Sequence, residues 1–145
     1  MYNNKLINNN GMEIFQIKVV KMKVLVGTDI IEIKRVKESI QKYEKEFIKR
    51  IYTEKEIEYC ESKHNAKYQH YAVRFAAKEA IFKAVSKLLE DKFEISWQNA
   101  EIINNKDGKP EVRFIDTKIK DKIKSIDISL SHCKEYATAN VIVIV

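Results

Sequence analysis

The sequence predicts an α+β fold, a mostly antiparallel sheet packed on one long central helix. Three stretches carry that expectation. Residues 23–33 form a β-branched run that reads as a buried strand. Residues 71–89 place Ala77, Ile81, Ala84 and Leu88 on one helical stripe. Residues 126–131 alternate apolar and polar side chains, and 136–145 is a long apolar run, so the chain closes on two strands.

The first strand holds Gly27 and Asp29. A helix over 33–51 follows, with Ile33, Val36, Ile40, Tyr43, Phe47 and Ile51 at spacings of three and four. Its opposite face is basic through Lys34, Lys37, Lys42, Lys45 and Lys49. Thr53 followed by Glu56 is a capping box that starts a short helix to about Ser62. The polar stretch 63–69 reads as a loop. In the central helix Ala72, Ala76, Ala77, Ala80 and Ala84 leave a slim cylinder that another backbone can approach, and Glu79 and Lys83 share a different face. Strands at 96–103 and 111–114 flank 104–110, where Asp107-Gly108 signals a turn; Trp97 opens the first as a core residue. Residues 116–124 read as a short helix and 132–135 as a hairpin turn.

At 145 residues the chain suits one compact domain, and 45% apolar residues can fill a core. We divide it into an extension, 1–21, and a domain, 22–145. Residues 1–10 are asparagine-rich and expected to fray; Met22 then serves as a natural start, or 14–20 adds an edge strand. The net charge of +6 and the pI of about 9.2 favour an acidic partner, although lysine excess also arises from compositional drift. Cys60 and Cys133 stand far apart and form neither a disulfide framework nor a zinc signature, which leaves two buried free thiols as the expectation. No apolar run nears the roughly 20 residues that span a bilayer. A cytoplasmic protein without membrane attachment is expected.

Asp29 lies in an apolar strand, where a carboxylate needs a partner or a metal. Glu79 lies on a helix that can pack on that strand. Two converging carboxylates suit Mg²⁺, which takes few protein ligands and completes its shell with water and phosphate oxygens. Taken singly, Asp29 reads as a capping aspartate and Glu79 as a salt-bridge partner of Lys83. Arg35, Arg74, Lys78 and Lys83 form a cationic rim for a pyrophosphate, or an ordinary solvated face. Ser131 and His132 are strand neighbours that point to opposite faces, which disfavours a hydrolytic pair and leaves His132 as a ligand-touching turn residue. Walker A, dinucleotide-binding and zinc-protease motifs are absent. A nucleic-acid module finds support only in the net charge, and a metal nuclease lacks its usual acid–lysine spacing.

The ordered set Gly27-Thr28-Asp29-Ile30, Arg35, Arg74-Phe75-Ala76-Ala77-Lys78-Glu79-Ala80 with Lys83-Ala84, Asp107-Gly108-Lys109-Pro110 and Ser129-Leu130-Ser131-His132 resembles the holo-acyl-carrier-protein synthase family over about residues 22–145. The resemblance implies a phosphopantetheinyl transferase of fatty acid biosynthesis. Such an enzyme takes coenzyme A and apo acyl carrier protein, uses Mg²⁺, modifies a carrier serine and releases 3′,5′-ADP. It also implies a homotrimer with sites between subunits. By position, Asp29 and Glu79 match the Mg²⁺ ligands, with Lys83 as a third catalytic residue. Arg74, Lys83, Pro110 and His132 match the coenzyme A region. Arg35 and the basic helix behind it, with Lys42, Lys45 and Lys49, match the carrier-protein docking surface, where the family often shows arginines. The serine proton passes to water or to Glu79, two routes the residues leave open.

Overall fold

The computed structural model describes residues 4–7, 13–16, 21–91 and 94–145. Of the segment expected to fray and the alternative edge strand, 1–3, 8–10 and 17–20 lie outside the described residues. Strands β1 (Asn4–Ile7) and β2 (Glu13–Gln16) pair with each other, in a sheet separate from the one that holds the Asp29 strand.

The β-branched run becomes β3 (Val24–Glu32) and leads directly into α1 (Ile33–Ile51). Helix α2 (Glu54–Glu61) starts at the predicted capping box: Glu56 N–H donates to Thr53 Oγ1, and Thr53 N–H donates to Glu56 Oε2 at 2.8 Å. The central helix α3 (Lys67–Val85) begins four residues before the predicted 71, after a 3₁₀ turn at His64–Ala66. Its polar first turn disguised it. Lys67 pairs there with Glu61 at 2.9 Å, and Lys37 sits over the Tyr68 ring.

The last third holds β4 (Ala100–Asn104), β5 (Pro110–Phe114), β6 (Ser125–His132) and β7 (Tyr136–Ile144). The strand expected from 96 starts at Ala100 instead. Trp97–Asn99 is a 3₁₀ turn capped by Ser96 and Asn99, and Trp97 packs between Phe75 and Phe82 with ring centroids 5.1 and 5.0 Å away. Residues Lys118–Lys122 are 3₁₀ rather than α-helical, and β6 runs through His132, shortening the predicted turn.

Pairing is antiparallel throughout, in order β3-β7-β6, with β4-β5 a separate pair. The strands that flank the Asp107-Gly108 turn form the predicted hairpin, but they pair with each other and not with β3, β6 or β7, so the single expected sheet is divided. Helix α3 packs across β3 and β7 and reaches β6. Leu25, Ala80, Ile81, Ala84, Val141 and Val143 fill that layer, while Val36, Ile40, Tyr52, Cys60 and Ala72 fill a second core among the helices. Tyr43, predicted on the apolar stripe of α1, is exposed. So is Cys133, which stands at the β6–β7 turn, while Cys60 is buried as expected. Among the described residues no helix is long and apolar enough to cross a membrane.

The approach of β3 to α3 is closest at Gly27. A Cβ placed there would run into the Ala80 carbonyl oxygen and lie 2.9 Å from the Ala84 nitrogen. Gly27→Ala should therefore push helix and strand apart and cost about 1–3 kcal/mol or more. Lys106→Ala removes an exposed side chain from the turn between residues 104 and 110 and should cost far less. Urea unfolding of both variants checks the contrast, and equal losses would contradict it.

Candidate active site

Asp29 lies on the inner face of β3, an edge strand of its sheet. Thr138 Oγ1 donates to its backbone carbonyl at 2.8 Å, fixing the strand beneath it. Across the close contact, Lys83 Nζ donates to Asp29 Oδ1 at 2.8 Å and to the Thr28 carbonyl at 3.1 Å. Lys83 thus meets Asp29, whereas spacing alone suggested a helix pair with Glu79. Glu79 sits one turn earlier on α3, and its carboxyl is held above the usual carboxylate range. Burial is the main cause and the charge of Asp29 the second, with Lys83 opposing both. Asp29, Glu79 and Arg35 line one cleft of about 270 Å³.

Among the described residues no group of three or more His, Cys, Asp or Glu is arranged to hold a metal ion. Mg²⁺ does not need one, since it binds through one or two carboxylates plus water and phosphate oxygens. Asp29 and Glu79 supply oxygen donors only, and Glu79 still senses uncompensated negative charge beside Lys83. The donor set fits Mg²⁺.

Arg74, Pro110 and His132 gather elsewhere, in a cleft of about 310 Å³ that no carboxylate lines. Arg74 is buried. Its Nη2 donates to Asn104 Oδ1 at 2.7 Å, its Cζ lies 4.0 Å from the Tyr59 ring centroid, and its Nε is buried without a partner. Asn104 Nδ2 donates in turn to the Gly108 carbonyl at 2.8 Å, tying Arg74 to the turn that carries Lys109 and Pro110. Gly108 adopts φ 81°, a conformation that favours glycine. Sequence reasoning missed Asn104, Tyr59 and His70 as residues of this cleft. The one available signal was helical spacing, which puts His70 a turn before Arg74.

The predicted cationic rim therefore divides. Lys83 and Arg35 join the carboxylates, and Arg74 belongs to the second cleft. Lys78 belongs to neither. Its ammonium is buried, 2.9 Å from Glu56 Oε2, and donates to the carbonyls of Trp97 and Ala100 at 2.7 and 2.6 Å. Burial lowers the Lys78 pKa, and Glu56 opposes that shift. Because Glu56 also caps α2 and accepts the Ile102 N–H at 2.9 Å, this pair joins α2, α3 and β4. On α1, Lys42, Lys45 and Lys49 are exposed, as predicted for that face.

The two clefts flank α3. The carboxylate cleft touches β3 and the arginine cleft touches β6, the two edges of a sheet whose middle strand is β7.

Residues 25–141 match the model of the 4′-phosphopantetheinyl transferase superfamily. The holo-[acyl-carrier-protein] synthase of Chloroherpeton thalassium is 45% identical over 118 residues, covering 81% of this chain and 95% of that protein. The synthase of Ruminiclostridium cellulolyticum is 42% identical over 127 residues, covering 84% and 92%. Among solved structures, the Bacillus anthracis holo-(acyl-carrier-protein) synthase in complex with CoA (3′,5′-ADP) superposes with TM-score 0.70 at 34% identity, covering 86% of this chain and 98% of that one. The Helicobacter pylori synthase in complex with coenzyme A gives TM-score 0.71 at 28% identity, covering 82% and 99%.

The raised Glu79 carboxyl has a stability signature. Between the unfolded value, about 4.3, and its higher folded value, the native chain binds more protons than the unfolded one, so stability falls as pH rises through that window. Glu79→Gln should therefore be at least as stable as the parent at neutral pH without divalent metal, and lose that advantage below about pH 4. Urea unfolding across pH checks this; a difference independent of pH would contradict it.

Proposed function

The chain belongs to the 4′-phosphopantetheinyl transferase superfamily, and we propose that it transfers phosphopantetheine from coenzyme A to a serine of apo acyl carrier protein, with Mg²⁺, releasing 3′,5′-ADP. It is a transferase with holo-[acyl-carrier-protein] synthase relatives, and coenzyme A is its co-substrate. The observation that carries the finer reading is the cluster of Asp29, Glu79 and Lys83 at the β3–α3 contact.

Held by Asp29 and Glu79, Mg²⁺ would neutralise charge at the pyrophosphate oxygens. The chain's own groups do the rest. The Lys83 ammonium, held by Asp29 and the Thr28 carbonyl, would stabilise the charge that develops on the departing phosphate. Arg74 and His132 line the second cleft and would offer donors to the coenzyme A phosphates. The carrier serine oxygen bonds to phosphorus as the pyrophosphate P–O bond breaks, its proton passes to water, and 3′,5′-ADP leaves with the electrons of the broken bond. Arg35, exposed on the first turn of α1 and lining the carboxylate cleft, links that centre to the basic face of Lys42, Lys45 and Lys49. An acidic carrier protein suits that face. We assign the activity to 22–145 and treat 1–21 as an extension, since the family match begins at 25.

A trimer with composite sites accounts for two features. One chain holds its clefts at opposite sheet edges. The outer face of the sheet also exposes Val24, Val26, Ile30 and Ile142 at 50–67%, large apolar side chains grouped as at an interaction surface. A second copy that laid its β6 edge near the first copy's β3 edge would bring unlike clefts together. We place the reaction in the cytoplasm.

Incubation with coenzyme A, Mg²⁺ and apo carrier protein should add about 340 Da to the carrier by phosphoryl transfer. Asp29→Ala and Glu79→Ala should each lower turnover by about 1000-fold, the scale of several kcal/mol of lost charge stabilisation. With the two substrates varied separately, reversing Lys42, Lys45 and Lys49 to Glu should raise KM for carrier protein and leave KM for coenzyme A nearly unchanged. Wild-type turnover in either alanine variant, or an unchanged carrier dependence in the reversal, would overturn the corresponding assignment.

A further inference from the structure

The arginine cleft contains a second histidine that no motif assigns. His70 lies one helical turn before Arg74, and Arg74 Nη1 reaches the His70 carbonyl at 3.5 Å. The His70 ring meets the His132 ring edge-on, with centroids 5.9 Å apart, and the Tyr59 ring at 5.5 Å. Two imidazoles from different elements, α3 and β6, thus converge beside a buried guanidinium in a cleft without a carboxylate. Aromatic contact on two sides fixes the ring where it lies.

We propose that His70 is a proton-linked anion ligand of this cleft, taking up a proton as the phosphates of coenzyme A settle beside Arg74 and His132. The inference rests on reading this cleft as the coenzyme A site.

The surroundings supply the physical reason. From its own helix His70 faces Arg74, from the segment between α2 and α3 Lys63, from β6 His132, and from α2 the Tyr59 ring. Lys109, on the turn across the cleft, stands 3.6 Å from Asp127 and so brings its own counter-charge. The charged side chains named around His70, Arg74 and Lys63, are both cationic. Burial removes water as well, and the imidazole is pushed down to about 4, with burial the largest cause and Arg74, His132 and Lys63 behind it. The free protein at neutral pH therefore holds a neutral His70.

A phosphate group entering the cleft reverses the sign of that field. Negative charge beside the ring favours imidazolium and adds N–H donors to the ligand. Binding then consumes protons, so affinity strengthens as pH falls toward the free-protein value and weakens as pH rises past the value in the complex. Ionisation of the 3′-phosphate also shifts protons on binding, but it does so equally in a His70 variant.

The experiment compares the full-length wild type with His70→Gln and His70→Phe by calorimetry of coenzyme A binding, in two buffers of different ionisation enthalpy. His70→Phe preserves a ring for the contacts with Tyr59 and His132 but cannot charge. Both variants should bind coenzyme A with less proton uptake than wild type. The ratio of wild-type to variant affinity should be roughly threefold to tenfold larger at about pH 6 than at about pH 8. Equal proton uptake in all three proteins, with coenzyme A still bound, would overturn the role of His70 alone. Failure of wild type to bind coenzyme A would overturn the reading of the cleft beneath it.

Discussion

The structure depends on how closely α3 lies against β3. Gly27 has no side chain, and Ala80 and Ala84 present only methyl groups, so the strand backbone meets the helix backbone without intervening atoms. This contact puts Lys83 within hydrogen-bond distance of Asp29 and brings Glu79 close enough to sense the same charge. A bulkier residue at Gly27 would separate the acid on the strand from the acid and base on the helix. The core packing and the clustering of Asp29, Glu79 and Lys83 are one feature.

The other flank of α3 is held by charge. Lys78, adjacent to Glu79 in sequence, points inward to Glu56 and to two carbonyls of the 97–100 segment. Breaking one partner of such a pair leaves an uncompensated buried charge. The pair fixes β4 against the helix. Asn104, at the end of β4, can then hold both Arg74 and the Gly108 turn. One helix therefore organises two clefts by different means, backbone proximity on one side and a buried ion pair on the other.

Much of this was legible in the sequence. The β-branched run, the capping box and the alanine spacing located β3, α2 and α3, because each rests on local periodicity or a local hydrogen bond. Asp29, Glu79 and Lys83 were found as a group, and the structure brings them together. Lys78 fits neither reading offered for it, cationic rim or solvated face, since sequence spacing cannot tell an inward lysine from an outward one on a helix buried on several sides. Its partner Glu56 lies on another element. His70 and Asn104 were missed for the same reason: their significance comes from contacts across elements that no local pattern encodes. The division of the sheet was likewise invisible, because alternation sets which face is buried and not which strands pair.

In the proposed trimer, a working site unites the carboxylate cleft of one chain with the arginine cleft of another. The most direct measurement mixes two variants, Asp29→Ala and Arg74→Ala, each expected to be inactive alone, and refolds them together before assaying transfer. In a ring of heterologous contacts, random assembly pairs an intact carboxylate cleft with an intact arginine cleft at about a quarter of the sites, so about a quarter of wild-type turnover per chain should return. Mixed oligomers that remain as inactive as either variant alone would show that each chain builds its site by itself, and would contradict the claim.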